Sequence, residues 1–173
     1  MTGSQPGAGV VLVLGGTRSG KSRLAERLVA ELAAEEHAAV TYLATAVVAD
    51  EEMERRVSAH RARRPRGWST VELRSSTELP GLLAHLAGEV LLDSLGAWVA
   101  SAPELEVDGQ GLVDALRTRA GSTVIVSEEV GLAVHPPSAV GRAFVDALGA
   151  LNQAVAAVAD RVILVVAGRA LEL

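Results

Sequence analysis

The 173-residue chain predicts an α/β fold with a mostly parallel central sheet flanked by helices. Three observations lead there. Residues 15–22, GGTRSGKS, fit the phosphate-loop pattern G-x-x-x-x-G-K-[ST] at every fixed position. The loop follows an apolar run at 10–14 and opens a segment at 23–32 in which Leu24, Leu28 and Leu32 recur at helical spacing. Short apolar runs then alternate with helical patterns, which is the signature of parallel strands joined by crossover helices.

The loop's physics follows from its residue types. Gly15, Gly16 and Gly20 let the backbone bend so that successive N–H groups face phosphate oxygens, with Thr17, Arg18 and Ser19 completing the cradle. A helix opening at Lys21 adds unpaired N–H groups and the positive end of its dipole. Lys21 suits the β- and γ-phosphates, and the Ser22 hydroxyl suits Mg²⁺. Among 16 Lys plus Arg, Lys21 is the single lysine. A chain that otherwise uses Arg keeps the compact ammonium where the motif asks for it.

Composition bounds the rest. We expect residues 1–9 to form a flexible tail and 10–173 a single nucleotide-binding catalytic domain, with 49% hydrophobic residues supplying the core. The aromatic residues are Tyr42, Trp68, Trp98 and Phe144, so Val, Leu and Ala must build most of that core. A net charge of −5 argues against nucleic acid or an anionic membrane as partner and favours a small ligand. With no cysteine, neither disulfides nor thiolate metal sites can form. No segment has the make-up of a signal peptide or membrane span, so the expected location is cytoplasmic.

In order, 39–43 reads as a second strand with a small-residue exit. Residues 50–64 read as a charged helix, acids first and bases last, with Arg56, His60 and Arg63 on adjacent stripes. A solvated helix with paired charges accounts for that pattern. So does a nucleophile site, since neighbouring cations favour neutral imidazole and would also hold phosphates. Pro65 ends the helix, 68–73 reads as a strand, and 76–86 as a short amphipathic helix with His85 on its surface. The run at 90–93 ends in Asp93, a candidate metal-side acid. Residues 94–110 are the least readable part, with Pro103 and Gly109 marking loop, before a helix at 112–119. The strand at 123–127 exits into Glu128 and Glu129, which suit a solvated loop, Mg²⁺ or an acceptor hydroxyl. Ser138 is the expected cap of a last helix with Val140, Phe144, Leu148, Leu151, Val155 and Val158 on one face. On that helix Arg142 and Asp146 are expected to pair, and Asn152 to bond structurally. A strand at 162–166, a turn at Gly168 and a tail at 171–173 complete the chain.

The ordered set of motifs resembles the bifunctional adenosylcobinamide kinase and adenosylcobinamide-phosphate guanylyltransferase family of cobalamin synthesis. Its carriers are GGTRSGKS (15–22), TYLATA (41–46), EM-x-x-RV-x-x-H (52–60), Arg64 with WSTVE (68–72), LLDSL (91–95) with Trp98 and Val99, SEEVGL (127–132) and ADRVILVVAG (159–168). The resemblance implies a RecA-like P-loop NTPase domain assembled as a homotrimer, acting with Mg²⁺ on GTP or ATP and a corrinoid. It implies that His60 takes up GMP, beside a catalytic Lys21, and this replaces the solvated-helix reading. Nucleotide contacts carried over by position are residues 15–22 with Arg63, Arg64, Glu72 and Asp93; Ser22 and Asp93 fall on the metal. The chain departs from the family's usual Asn at Glu128, Thr at Gly96 and Val near His135, and it lacks a proline at 73–76. A small-molecule kinase with His60 on its surface is one rival reading. A nucleotide-dependent switch is another, although its N-K-x-D base motif is missing.

Overall fold

A computed structural model describes residues 9–45, 65 and 67–173. The charged segment at 50–64, including Arg56, His60, Arg63 and Arg64, lies outside the described residues, as do residues 1–8 of the expected tail at 1–9. The strands are β1 (Val10–Gly15), β2 (Val40–Ala44), β3 (Ser69–Glu72), β4 (Glu89–Asp93), β5 (Thr123–Glu128), β6 (Arg161–Val166) and β7 (Arg169–Glu172). They form one seven-stranded sheet in the order β3-β2-β4-β5-β1-β6-β7, parallel except for the β6–β7 hairpin.

The central strands are apolar at nearly every position because both faces are covered. Alternation sends successive residues to opposite sides. Val11, Val13, Leu91, Val124 and Val126 meet α1 (Lys21–Glu36) through its Ala25, Val29 and Ala33. Leu12, Leu92 and Ile125 face the other layer, built from α2 (Leu79–His85), α3 (Leu95–Ser101), α4 (Gly109–Thr118) and α5 (Ala139–Ala156). Small residues on the buried stripe of α1 bring its backbone close to the sheet; Leu24, Leu28 and Leu32 lie beside that stripe, partly buried.

Several expectations shift. The segment at 94–110, the least readable in the sequence, holds α3 and the start of α4. Ser94 caps α3 by accepting from the Ala97 N–H at 3.3 Å, and fully buried Trp98 anchors it, donating Nε1 to the Ser76 carbonyl at 2.7 Å. Asp108 caps α4, accepting from the Gly111 N–H at 2.8 Å, so Gly109 begins a helix instead of marking a loop. The tail at 171–173 is mostly strand: Ala167 (φ 49°) and Gly168 (φ 75°) make a two-residue turn that pairs Val166 with Arg169. Ser138 caps α5 as expected, but Val140, expected on the core face, is 71% exposed. Arg142, expected to pair with Asp146, donates to the carbonyls of Pro136 and Pro137 at 3.2 and 2.7 Å.

Candidate nucleotide site

The carboxyl ends of the parallel strands meet along one edge, where ligands of open α/β sheets bind. Register fixes what stands there. Glu72 and Asp93 both lie opposite Ala44, on either side of β2, and Glu128 lies opposite Gly15, where β1 runs into the phosphate loop. The edge therefore presents the loop and three of the acids the sequence singled out.

The loop has the form its residues imply. Gly20 adopts φ 97°, a left-handed conformation that glycine enters without strain, and its carbonyl accepts the first helical bond from Leu24 at 3.1 Å. At the start of α1 the Lys21 N–H donates to the Ser19 hydroxyl at 3.4 Å and Gly20 offers no side-chain cap, a helix start whose dipole favours an anion. Ser19 is buried and ties the loop together: its N–H donates to the Gly16 carbonyl at 3.2 Å, and its own carbonyl accepts from Gly168 at 2.8 Å. Thr17 and Arg18 are exposed, with Arg18 at φ 58°.

Glycine at 15 and at 16 serves different ends. A Cβ on Gly15 would stand 2.5 Å from the Ser19 hydroxyl and 2.7 Å from the Val165 carbonyl, whereas one on Gly16 meets nothing within 4 Å. Packing dictates the first; open space for a ligand surrounds the second. Lys21 curls back to donate to the Gly16 carbonyl at 3.3 Å and lies 3.6 Å from Glu128 Oε1. Its side chain is 11% exposed. Ser22 is half-buried in the first turn of α1.

Asp93 is held by the buried Tyr42, whose hydroxyl donates to Oδ2 at 2.8 Å. The next residue is clamped as well. The buried Thr45 hydroxyl donates to the Ser94 carbonyl at 2.6 Å and accepts from the Ser94 N–H at 2.8 Å. Tyr42 and Thr45 belong to the TYLATA segment; sequence reasoning quoted them but gave them no role, because only the β2–β4 register brings them to Asp93. Glu72 is exposed and lines a cavity of about 500 Å³ with Thr70, Leu73 and Arg74.

The two adjacent glutamates separate. Glu128 turns toward Lys21 and accepts from the Ser94 hydroxyl at 3.2 Å on both oxygens; Glu129 accepts from the Gly131 N–H at 2.6 Å in the following turn. Asn152 has the expected structural role, accepting from the buried Ser127 hydroxyl at 2.6 Å and donating to the Glu128 carbonyl at 3.0 Å. His85 is exposed on α2 with its ring 2.7 Å from the Gly81 carbonyl, away from these groups. The site thus joins residues 15–22 to Asp93 and Glu128, with Glu72 further along the edge.

Fold and loop together define an α/β domain of mostly parallel sheet with a P-loop motif. Similar structures include a KaiC-like protein from Pyrococcus horikoshii OT3, with 16% identity and a TM-score of 0.55 over 94% of this chain and 73% of that one. The flagellar accessory protein FlaH of Methanocaldococcus jannaschii gives 14% and 0.53 over 97% and 77%. At such identities the likeness concerns the fold alone. The family model of cobinamide kinase / cobinamide phosphate guanyltransferase matches residues 11–173, and the chain belongs to that family. It is 42% identical to the bifunctional adenosylcobalamin biosynthesis protein CobP of Pseudomonas aeruginosa, over 91% of this chain and 92% of the relative. The corresponding CobU of Escherichia coli is 34% identical, over 92% and 96%. Among the described residues, no helix is long and apolar enough to cross a membrane.

Proposed function

We propose that the chain phosphorylates the aminopropanol hydroxyl of adenosylcobinamide with a nucleoside triphosphate. It then transfers GMP from GTP to that product through a guanylyl-His60 intermediate, giving adenosylcobinamide-GDP. The observation that carries this reading is the family match across residues 11–173 in a chain whose phosphate loop keeps an open cradle at Gly16 and a half-buried lysine behind it.

In the first step the loop N–H groups and Lys21 hold the phosphates, with Arg18 at the rim. Positioning and charge neutralisation supply most of the catalysis in phosphoryl transfer. Ser22 and Asp93 offer the hard oxygen donors that Mg²⁺ takes, and one carboxylate beside substrate phosphates is its usual protein complement. Bound there, the ion would neutralise charge on the β- and γ-oxygens. Tyr42 keeps the Asp93 carboxylate oriented for that task.

In the second step the His60 imidazole attacks the α-phosphorus of GTP, forming a phosphorus–nitrogen bond and expelling pyrophosphate. A phosphate oxygen of the cobinamide phosphate then attacks the same phosphorus, and the histidine leaves. Covalent relay divides one hard displacement into two easier ones. Arg56, Arg63 and Arg64 stabilise the charge that develops, and Glu72 completes the nucleotide contacts. The catalytic assembly is a homotrimer.

GTP labelled at the α-phosphorus tests the relay. Wild-type protein should acquire an acid-labile label that His60→Ala lacks. A wild type that phosphorylates cobinamide but never takes label is a kinase alone, and one that does neither overturns the whole reading.

A further inference from the structure

Glu128 is set in place by four separate devices. Its backbone carbonyl is pinned by Asn152 Nδ2 at 3.0 Å. Its carboxylate receives the Ser94 hydroxyl at 3.2 Å on both oxygens and stands 3.6 Å from the Lys21 ammonium. The fourth device is an omission. A Cβ on Gly96, the second residue of α3, would land on Glu128 Oε2 and lie 2.9 Å from its Cδ. Glycine inside a helix is destabilising relative to alanine, and here it leaves room for this carboxylate. The group is nonetheless open to ligands, with a side chain 32% exposed.

A fixed carboxylate beside the lysine that receives the β- and γ-phosphates repels a bound triphosphate. The arrangement becomes favourable if the negative charge is discharged as the reaction proceeds. We propose that Glu128 is the base of the phosphoryl-transfer step, taking the proton from the acceptor hydroxyl while Lys21 neutralises the transferring group. The hydroxyl O–H bond breaks, with its proton passing to Glu128. The acceptor oxygen bonds to the γ-phosphorus, and the bond from that phosphorus to the β–γ bridging oxygen breaks to release nucleoside diphosphate. The assignment rests on the kinase half of the proposed function and is particular to this chain, which carries Glu128 and Gly96 where the family it resembles usually has Asn and Thr.

Glu128→Gln keeps the shape and the Ser94 contact while removing basicity. With ATP and cobinamide saturating, its single-turnover phosphorylation rate should fall about 100-fold or more, the usual scale of general-base catalysis, while KM for ATP stays within about threefold. Gly96→Ala tests the geometry with the carboxylate still present: displacing Glu128 should slow the same step at least about tenfold. Circular dichroism and nucleotide-induced thermal stabilisation show whether each variant is folded and binds ATP. A Glu128→Gln rate within threefold of wild type, with only ATP affinity altered, would make Glu128 a mere counter-ion of Lys21 and overturn the assignment. Full activity in Gly96→Ala would do the same. A wild type that phosphorylates no cobinamide sinks the proposed function instead, which is a separate result.

Discussion

Replacing Gly15 and Gly16 one at a time by alanine separates packing from ligand access within a single loop. At Gly15 the new Cβ meets the Ser19 hydroxyl at 2.5 Å and the Val165 carbonyl at 2.7 Å, and the second contact is backbone in the sheet. Overpacking of this kind costs about 1–3 kcal/mol. For a chain of this size, that lowers Tm by roughly 2–12 °C. At Gly16 the Cβ meets nothing within 4 Å, so stability without nucleotide should stay within about 0.5 kcal/mol of wild type. Its effect should appear when phosphate must approach the backbone. Nucleotide at a hundred times its Kd stabilises the wild type by about 2.7 kcal/mol, and a hundredfold loss of affinity would leave about 0.4 kcal/mol. Thermal denaturation with and without nucleotide measures both quantities. The reasoning fails if Gly15→Ala melts with wild type in the absence of nucleotide, or if Gly16→Ala is stabilised by nucleotide as strongly as wild type.

Three further outcomes are expected. Arg119 is 5% exposed and donates to the carbonyls of Leu86, Gly88, Gly121 and Ser122 and to the Thr123 hydroxyl, beside buried Glu89. Burial pushes its pKa down and Glu89 partly restores it. Arg119→Met should therefore cost about 3–5 kcal/mol in urea denaturation without weakening nucleotide binding, because this cluster sits at the amino ends of β4 and β5. Tyr42→Phe removes the donor that orients Asp93; the Mg²⁺ concentration needed for tight nucleotide binding should rise about 10–100-fold, and an unchanged magnesium titration would remove Asp93 from the metal site. Bonding to Arg161 holds the exposed Glu172 carboxyl below its ordinary range. Its folded pKa thus lies below the unfolded one, and the pair's contribution is present above the unfolded pKa and lost as pH falls through the folded one. Glu172→Gln should melt slightly below wild type at neutral pH, with the gap closing in acid; a gap that persists there refutes the pairing.

The legible parts of the chain were those whose cause is local. The loop is a run of fixed residue types whose conformations follow from the absence of Cβ atoms and from a helix start. Central strands such as β1 and β5 read as unbroken apolar runs because both faces are buried. α3 escaped because it spans only Leu95–Ser101 and includes Gly96; what makes it a helix is Trp98 buried against the Ser76 carbonyl, a contact across 22 residues. β7 is exposed at every position, so no periodicity marks it, and only the turn at Ala167 and Gly168 betrays it. Val140 fits the apolar stripe of α5 yet lies in its first turn, two turns before Leu148, the first residue of that helix to be buried. Glu128 and Glu129 are identical in type and adjacent, and only the register with Gly15 and the vacancy at Gly96 tell them apart.

The edge also answers how a chain of net charge −5 with a single lysine can hold a polyanion. Among the described residues, Asp93, Glu128 and Glu72 stand at the carboxyl ends of strands, where they offset Arg18 and Lys21 of the loop. The backbone adds positive potential to those cations: the N–H groups of the loop and the start of a 16-residue helix, oriented before any ligand arrives. Backbone dipoles cannot be titrated and hold their orientation without side-chain entropy, so in the proposed reaction they would anchor the phosphates at any working pH. That leaves the charged side chains free for the reacting end. Lys21 is held 3.6 Å from Glu128 and 3.3 Å from the Gly16 carbonyl. Nucleotide binding therefore need only transfer an ammonium from protein oxygens to phosphate oxygens, exchanging one set of charge-assisted bonds for another. The same exchange frees Glu128, so the carboxylate loses its cation as substrate phosphates gain one.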